Sequence, residues 1–139
     1  MTTDIHIKEG KMIAIHPRES VIMASDFHGL IGWYRDVLGF NLVNLYEEAY
    51  HYGNLETPSG IKIGIADADE MGIVPADRSH NTVVLKFQVD DVKAFFAFLE
   101  QEGAAVTFGP SHDESGDFWY GGFSDPEGNP FWVVDKNCP

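Results

Sequence analysis

Histidines, cysteines and carboxylates are the side chains that hold metal ions and move protons, and they do so only where spacing brings several together. His16, His28, His51, His80 and His112 are scattered, with none of the H-x-H, H-x-x-x-H or H-E-x-x-H spacings that bring such side chains to one face of a strand or helix. An unconventional histidine site stays open, but no motif announces one. Asp67, Asp69 and Glu70 lack the spacing and closing glutamate of an EF-hand, so they read as a solvated linker rather than a calcium loop. The single cysteine, Cys138, has no second thiol for a disulfide or zinc knuckle and reads as an incidental terminal thiol.

Composition narrows the partners. The formal net charge of −13 repels nucleic-acid phosphates and anionic lipid, which clustered Lys and Arg attract, so neither is an expected partner. With 44% hydrophobic and 22% charged residues the chain is globular in type, and no segment approaches the roughly 20 apolar residues of a membrane helix. Residues Met1 to Gly10 include His6, Lys8 and Glu9 without an apolar core, unlike a secretory leader, and this predicts a cytoplasmic protein. A single domain over residues 1–139 is expected, and a domain of this size buries roughly 68% of the surface of its unfolded chain.

The elements that must position any site come as two copies of one pattern. In the first, the strand-like run Val21 to Ala24 leads to Asp26, an N-cap, and then to a helical apolar stripe of Phe27, Leu30, Ile31, Tyr34, Val37 and Leu38, stopped by Gly39. In the second, Val83 to Val89 leads to Asp91, then to Val92, Phe95, Phe96 and Leu99, stopped by Gly103. Each helix is followed by three strand-like segments: Leu42 to Tyr46, Tyr50 to Leu55 and Ile61 to Ala66, then Ala105 to Phe108, Phe118 to Phe123 and Pro130 to Val134. Proline and glycine in Pro58-Ser59-Gly60 and Asp125-Pro126-Glu127-Gly128-Asn129 favour the turns before the last strands. The chain therefore reads as an α+β fold of two βαβββ modules, about 19–66 and 81–135, joined by a linker over 67–80 and pairing their sheets around a central cavity. The polar stretch Pro110 to Gly116 reads as a surface loop, with a flap over the cavity as the alternative.

Trp33-Tyr34-Arg35-Asp36-Val37-Leu38-Gly39-Phe40 resembles the first-helix signature of the vicinal-oxygen-chelate superfamily, which unites glyoxalases, bleomycin-resistance proteins and dioxygenases. Phe123-Ser124-Asp125-Pro126-Glu127-Gly128-Asn129-Pro130 resembles its final hairpin, and Val89-Asp90-Asp91-Val92 is similar to its second helix entry. The resemblance implies four metal-ligand positions on the first and last strands of the modules, and motif spacing carries them to Glu19, Gly64, Val84 and Trp132. Only Glu19 is a donor, whereas a catalytic metal normally has at least three protein ligands. The expectation is a chain with no cofactor and no metal at the usual site.

Alternation along strands then enumerates the face that lost those ligands: Glu19, Val21 and Met23; Lys62, Gly64 and Ala66; Val84, Lys86 and Gln88; Pro130, Trp132 and Val134. The opposite parity, including Ile63, Ile65, Phe87, Phe131 and Val133, should pack under the helices. Glu19 and Lys86 are candidates for a charged pair that orients a polar ligand, and Trp132 for a stacking surface. Gln88, Trp119, Tyr120 and His51 complete the ligand-binding candidates, the last three on strands whose facing is left open. Two functions follow from the resemblance: a metal-independent small-molecule binder, expected as a homodimer, or an enzyme with an atypical metal or Glu19 as base.

Overall fold

The structure, a computed structural model, describes residues 13–139, so the segment Met1 to Gly10 discussed above lies outside the described residues. Its first half comprises β1 (Ser20–Ala24), α1 (Phe27–Asp36), β2 (Asn41–Tyr46), β3 (Tyr52–Glu56) and β4 (Lys62–Asp67). Its second half repeats the order with β5 (Leu85–Gln88), α2 (Val92–Gln101), β6 (Ala105–Asp113), β7 (Phe118–Ser124) and β8 (Pro130–Val134). The sheets run β1-β4-β3-β2 and β5-β8-β7-β6, each with one parallel pair and two antiparallel ones. This is the α+β arrangement of paired βαβββ modules expected from the sequence.

Both helices start as their sequences dictate. The carboxylates of Asp26 and Asp91 accept hydrogen bonds from Gly29 N and Ala94 N, each at 3.0 Å, which satisfies backbone donors that have no partner inside the helix. After α1 and α2 the chain turns through Gly39 at φ 78° and Gly103 at φ 74°, a region that a side chain disfavours. Between the helices and the sheets lies one core to which both halves contribute Leu30, Ile31, Tyr34, Ile63, Ile65, Phe87, Phe96, Leu99, Phe131 and Val133. The strand parity assigned to the helix side is therefore buried. Phe131 stacks between Phe87 and Phe123 at ring separations of 5.0 and 5.1 Å.

The two signature segments meet across this core. The Tyr34 hydroxyl donates to Asp125 Oδ2 at 2.8 Å, and burial together with the neighbouring carboxylate raises the Tyr34 phenol well above its ordinary pKa. Asp125 also accepts from the amides of Glu127 and Asn129 and from the Asn129 side chain. Glu127 in turn accepts from the backbone N–H groups of Ser25 and Asp26. Arg78 reaches this joint from a short 3-10 helix, pairing with Glu127 at 3.1 Å and donating to Asn129 Oδ1. Its side chain is buried, so the stretch between the halves is not wholly a solvated linker.

One expectation is corrected. Pro110 to Gly116 is neither loop nor flap in the main, because β6 continues to Asp113 with Ser111, His112 and Asp113 paired to Tyr120, Trp119 and Phe118. The ladder shifts register between Phe108 and Ser111, and Pro110, which has no N–H to give, sits in that irregularity while the strand resumes beyond it. Only Glu114 to Asp117 turn. Among the described residues, no helix is long and apolar enough to cross a membrane.

Candidate functional site

The sheet faces turned away from the helices carry separate hollows. That on the second sheet has a volume of about 340 Å³ and is walled by Lys86, Phe108, Phe118, Tyr120, Trp132 and Val134, with Asp113 and Cys138 at its margin. Register explains the gathering: Lys86 of β5 lies beside Trp132 of β8, and Trp132 beside Gly122 of β7. A side chain on Gly122 would run into the Phe108 ring, so this glycine gives the ring its place over the sheet. Phe108 and Phe118 flank Tyr120 at ring separations of 6.4 and 5.9 Å. Trp132 remains 50% exposed, an unusual state for indole on a strand inside a sheet.

The first sheet's hollow is more polar and holds Arg18, Glu19, Asn44, Asn54 and Lys62. Glu19 Oε1 accepts from the Tyr52 hydroxyl at 2.5 Å, and the Asn54 amide donates to both carboxylate oxygens at 3.2 and 2.9 Å. Burial first, and then the bond to Glu19, raises the Tyr52 pKa, so the phenol stays protonated and a donor. Position 64 decides whether a metal fits here. A methyl group on Gly64 would run into the Tyr52 hydroxyl, lying 2.7 Å from its ring carbon and 3.0 Å from Glu19 Oε1. The space of a second metal ligand is thus filled by tyrosine, and the one donor present is bonded to Tyr52 and Asn54. Val84 and Trp132 stand at the other two positions that the resemblance implies, so of those four side chains only Glu19 offers a donor.

The other candidates divide. Lys86, Tyr120 and Trp132 come together in one hollow, while Glu19 stands in the other, so these side chains do not form the facing pair that alternation allowed. Gln88 is exposed at the end of β5, outside the lining of either hollow. Trp119 packs against the core and carries the Lys93 ammonium of α2 over its ring at 4.1 Å, which places it on the helix side. His51 stands at the start of β3 against Phe27 and Glu70, away from both hollows. Phe108, Phe118 and Cys138 also line the second sheet's hollow, and no sequence motif marks them. Alternation from Tyr120 reaches Phe118, but the irregular register of β6 hides Phe108 and a terminal coil hides Cys138.

A larger hollow of about 760 Å³ opens between β1, β5, the start of β8 and the stretch from Ile73 to Val83. Its walls include the highly exposed Val74 and Val83 and contain no tryptophan or tyrosine, so it resembles an uncovered sheet edge more than a built pocket.

The two βαβββ modules and the hollows on their sheet faces define the fold class. Over residues 15–133 the chain matches, and it belongs to, the Glyoxalase/Bleomycin resistance protein/Dioxygenase superfamily. Among solved structures it is similar to a member of that superfamily from Sphaerobacter thermophilus DSM 20745, with 20% identity, TM-score 0.73, and coverage of 90% of this chain and 100% of that one. It is also similar to TnmS3, an antibiotic binding protein from Streptomyces sp. CB03234, at 23% identity and TM-score 0.68, over 89% of this chain and 98% of that one. A superfamily enzyme from Burkholderia phytofirmans PsJN matches at 18% identity and TM-score 0.66, over 84% and 95%. These identities speak for the fold alone. No curated protein matches the chain.

Proposed function

We propose that this protein binds a flat, mostly apolar small molecule in the hollow of the second sheet, without a metal at the superfamily's usual site. The observation that carries the reading is the half-exposed Trp132, which lines one hollow together with Phe108, Phe118 and Tyr120. Aromatic walls with a few convergent polar groups make a small-molecule site, and a volume of about 340 Å³ lies within the usual range. Lys86 supplies a cation for a polar or anionic end of the ligand. TnmS3 illustrates that this fold can serve antibiotic binding. The enzyme alternative with Glu19 as base is the weaker reading, since Glu19 stands in the other hollow, apart from Trp132, Phe108, Phe118 and Tyr120.

The working form in this proposal is a cytoplasmic homodimer. Val43, Leu45 and Tyr46 on the edge strand β2 leave apolar surface that a second copy would cover. The binding reading is tested by screening planar metabolite and drug-like compounds in EDTA by tryptophan emission, followed by NMR on side-chain-labelled protein. Hits should shift the Trp132, Tyr120 and Phe118 signals. Hits that need a divalent metal, or that move Asn54 and Tyr52 instead, would sink it.

A further inference from the structure

We propose that His51, Asp67 and Glu70 form a site for one divalent transition-metal ion of the Zn2+ or Co2+ type, apart from both hollows. One donor atom from each residue can be chosen so that all three lie within 4.8 Å of one another. Sheet register creates the cluster. Tyr52 of β3 pairs with Ala66 of β4 in an antiparallel ladder, so the next residues outward, His51 and Asp67, stand across from each other. The chain then turns at once, the amides of Asp69 and Glu70 donating to Asp67 Oδ1 at 2.9 and 3.2 Å, and Glu70 comes back against His51. The backbone N–H of His51 donates to Glu70 Oε2 at 2.8 Å, and the His51 ring nitrogen Nδ1 touches the other Glu70 oxygen.

The donor set selects the ion. One imidazole with two carboxylates suits zinc and its neighbours in the first transition row, while Ca2+ takes six to eight oxygens. Donors about 2.0–2.2 Å from a tetrahedral zinc ion stand roughly 3.3–3.6 Å apart, so side-chain movements on the order of 1 Å close the set. Orientation is already provided: the amide bonds to Asp67 Oδ1 hold that carboxylate and leave its second oxygen for the ion, and Phe27 supports the His51 ring edge-on at 5.3 Å. The His51 and Glu70 side chains are 33% and 36% exposed, which gives the ion a route in and leaves room for water as a further ligand. His28, 5.9 Å from the His51 ring and paired with Glu47, adds a second imidazole and carboxylate at the rim. Such an ion would tie the turn after β4 to the start of β3 beside the first turn of α1.

The test uses the full chain stripped with EDTA and titrated with CoCl2 by visible absorption and with ZnCl2 by equilibrium dialysis. One equivalent per chain is expected, with a rise in melting temperature on adding Zn2+. His51→Gln, Asp67→Asn and Glu70→Gln should each weaken binding by at least about tenfold. His112→Gln, which alters an imidazole paired with Asp117 on the other sheet, should leave it unchanged. Melting without metal verifies that each variant folds, and the visible band of Co2+-loaded wild type, which differs from that of the hydrated ion, gives a readout independent of any variant. Absence of saturable binding, binding that survives all three ligand substitutions, or binding lost in His112→Gln overturns the proposal.

Discussion

Gly64→Ala is the sharpest perturbation of the claim that tyrosine has taken the place of a metal ligand. Gly64 has no positive φ that would penalise alanine, so the backbone tolerates the change and the cost falls on Tyr52. The new methyl overlaps the Tyr52 hydroxyl, and the ring must swing away from Glu19. A hydrogen bond to a charged group contributes about 1.5–3 kcal/mol, taken at the low end here because Tyr52 is only half-buried. Repacking around an added methyl costs about 1–3 kcal/mol, and the stiffer unfolded chain of alanine returns about 0.4–1 kcal/mol. The net expectation is a loss of about 1.5–4 kcal/mol, read as a lower urea midpoint at unchanged slope. Combining Gly64→Ala with Tyr52→Leu should cost at least about 1 kcal/mol less than the sum of the single changes, because both remove the same contact. If Gly64→Ala lies within about 0.5 kcal/mol of wild type, or the double variant is additive, Tyr52 does not fill the ligand position.

Three further outcomes follow from the packing. Tyr34→Phe takes one donor from the buried Asp125 and should lower stability by about 1–3 kcal/mol in the same urea assay, and an unchanged midpoint would show that the signature segments are not joined by this bond. Light scattering should give twice the chain mass of 15.5 kDa, and a monomer at micromolar concentration would count against the homodimer. The Gly116 N–H and then the Ser115 hydroxyl hold the Asp113 carboxyl below the usual aspartate pKa, so the turn's stabilisation is complete above the unfolded-state value and is lost as pH falls through the folded one. The Gly116 amide signal should therefore titrate with a midpoint below that of an ordinary aspartate, and a midpoint at or above it would contradict the contact.

Much of the fold was legible because local chemistry and global packing agree. Asp26 and Asp91 cap the helices as their positions before apolar stripes predict, and Pro130 to Val134 is the strand its turn introduces. Alternation placed Ile63, Ile65, Phe131 and Val133 in the core and Trp132 outside it, because a period of two cannot bury both faces against the same helices. Alternation does not hold through β6, where register shifts change which side chains share a face, so neither the place of Phe108 nor the strand beyond Pro110 follows from periodicity. Nor can a motif reveal His51 beside Asp67 and Glu70. That meeting depends on the pairing of β3 with β4, which is a property of the folded sheet. The displacement of Trp119 to the helix side has the same origin, since its facing is set by the partners of β7.

The central claim is that an aromatic hollow binds a small molecule where the superfamily's metal would otherwise govern the site. Calorimetry in EDTA, with a compound found by the tryptophan screen, tests it most directly by comparing wild type with Trp132→Leu, which keeps the wall apolar and removes the ring. Covering one face of an indole contributes on the order of 1–3 kcal/mol, so affinity should fall roughly 5- to 150-fold while binding to wild type stays indifferent to the chelator. Equal affinity for the two proteins, or loss of wild-type binding in EDTA, would contradict the account.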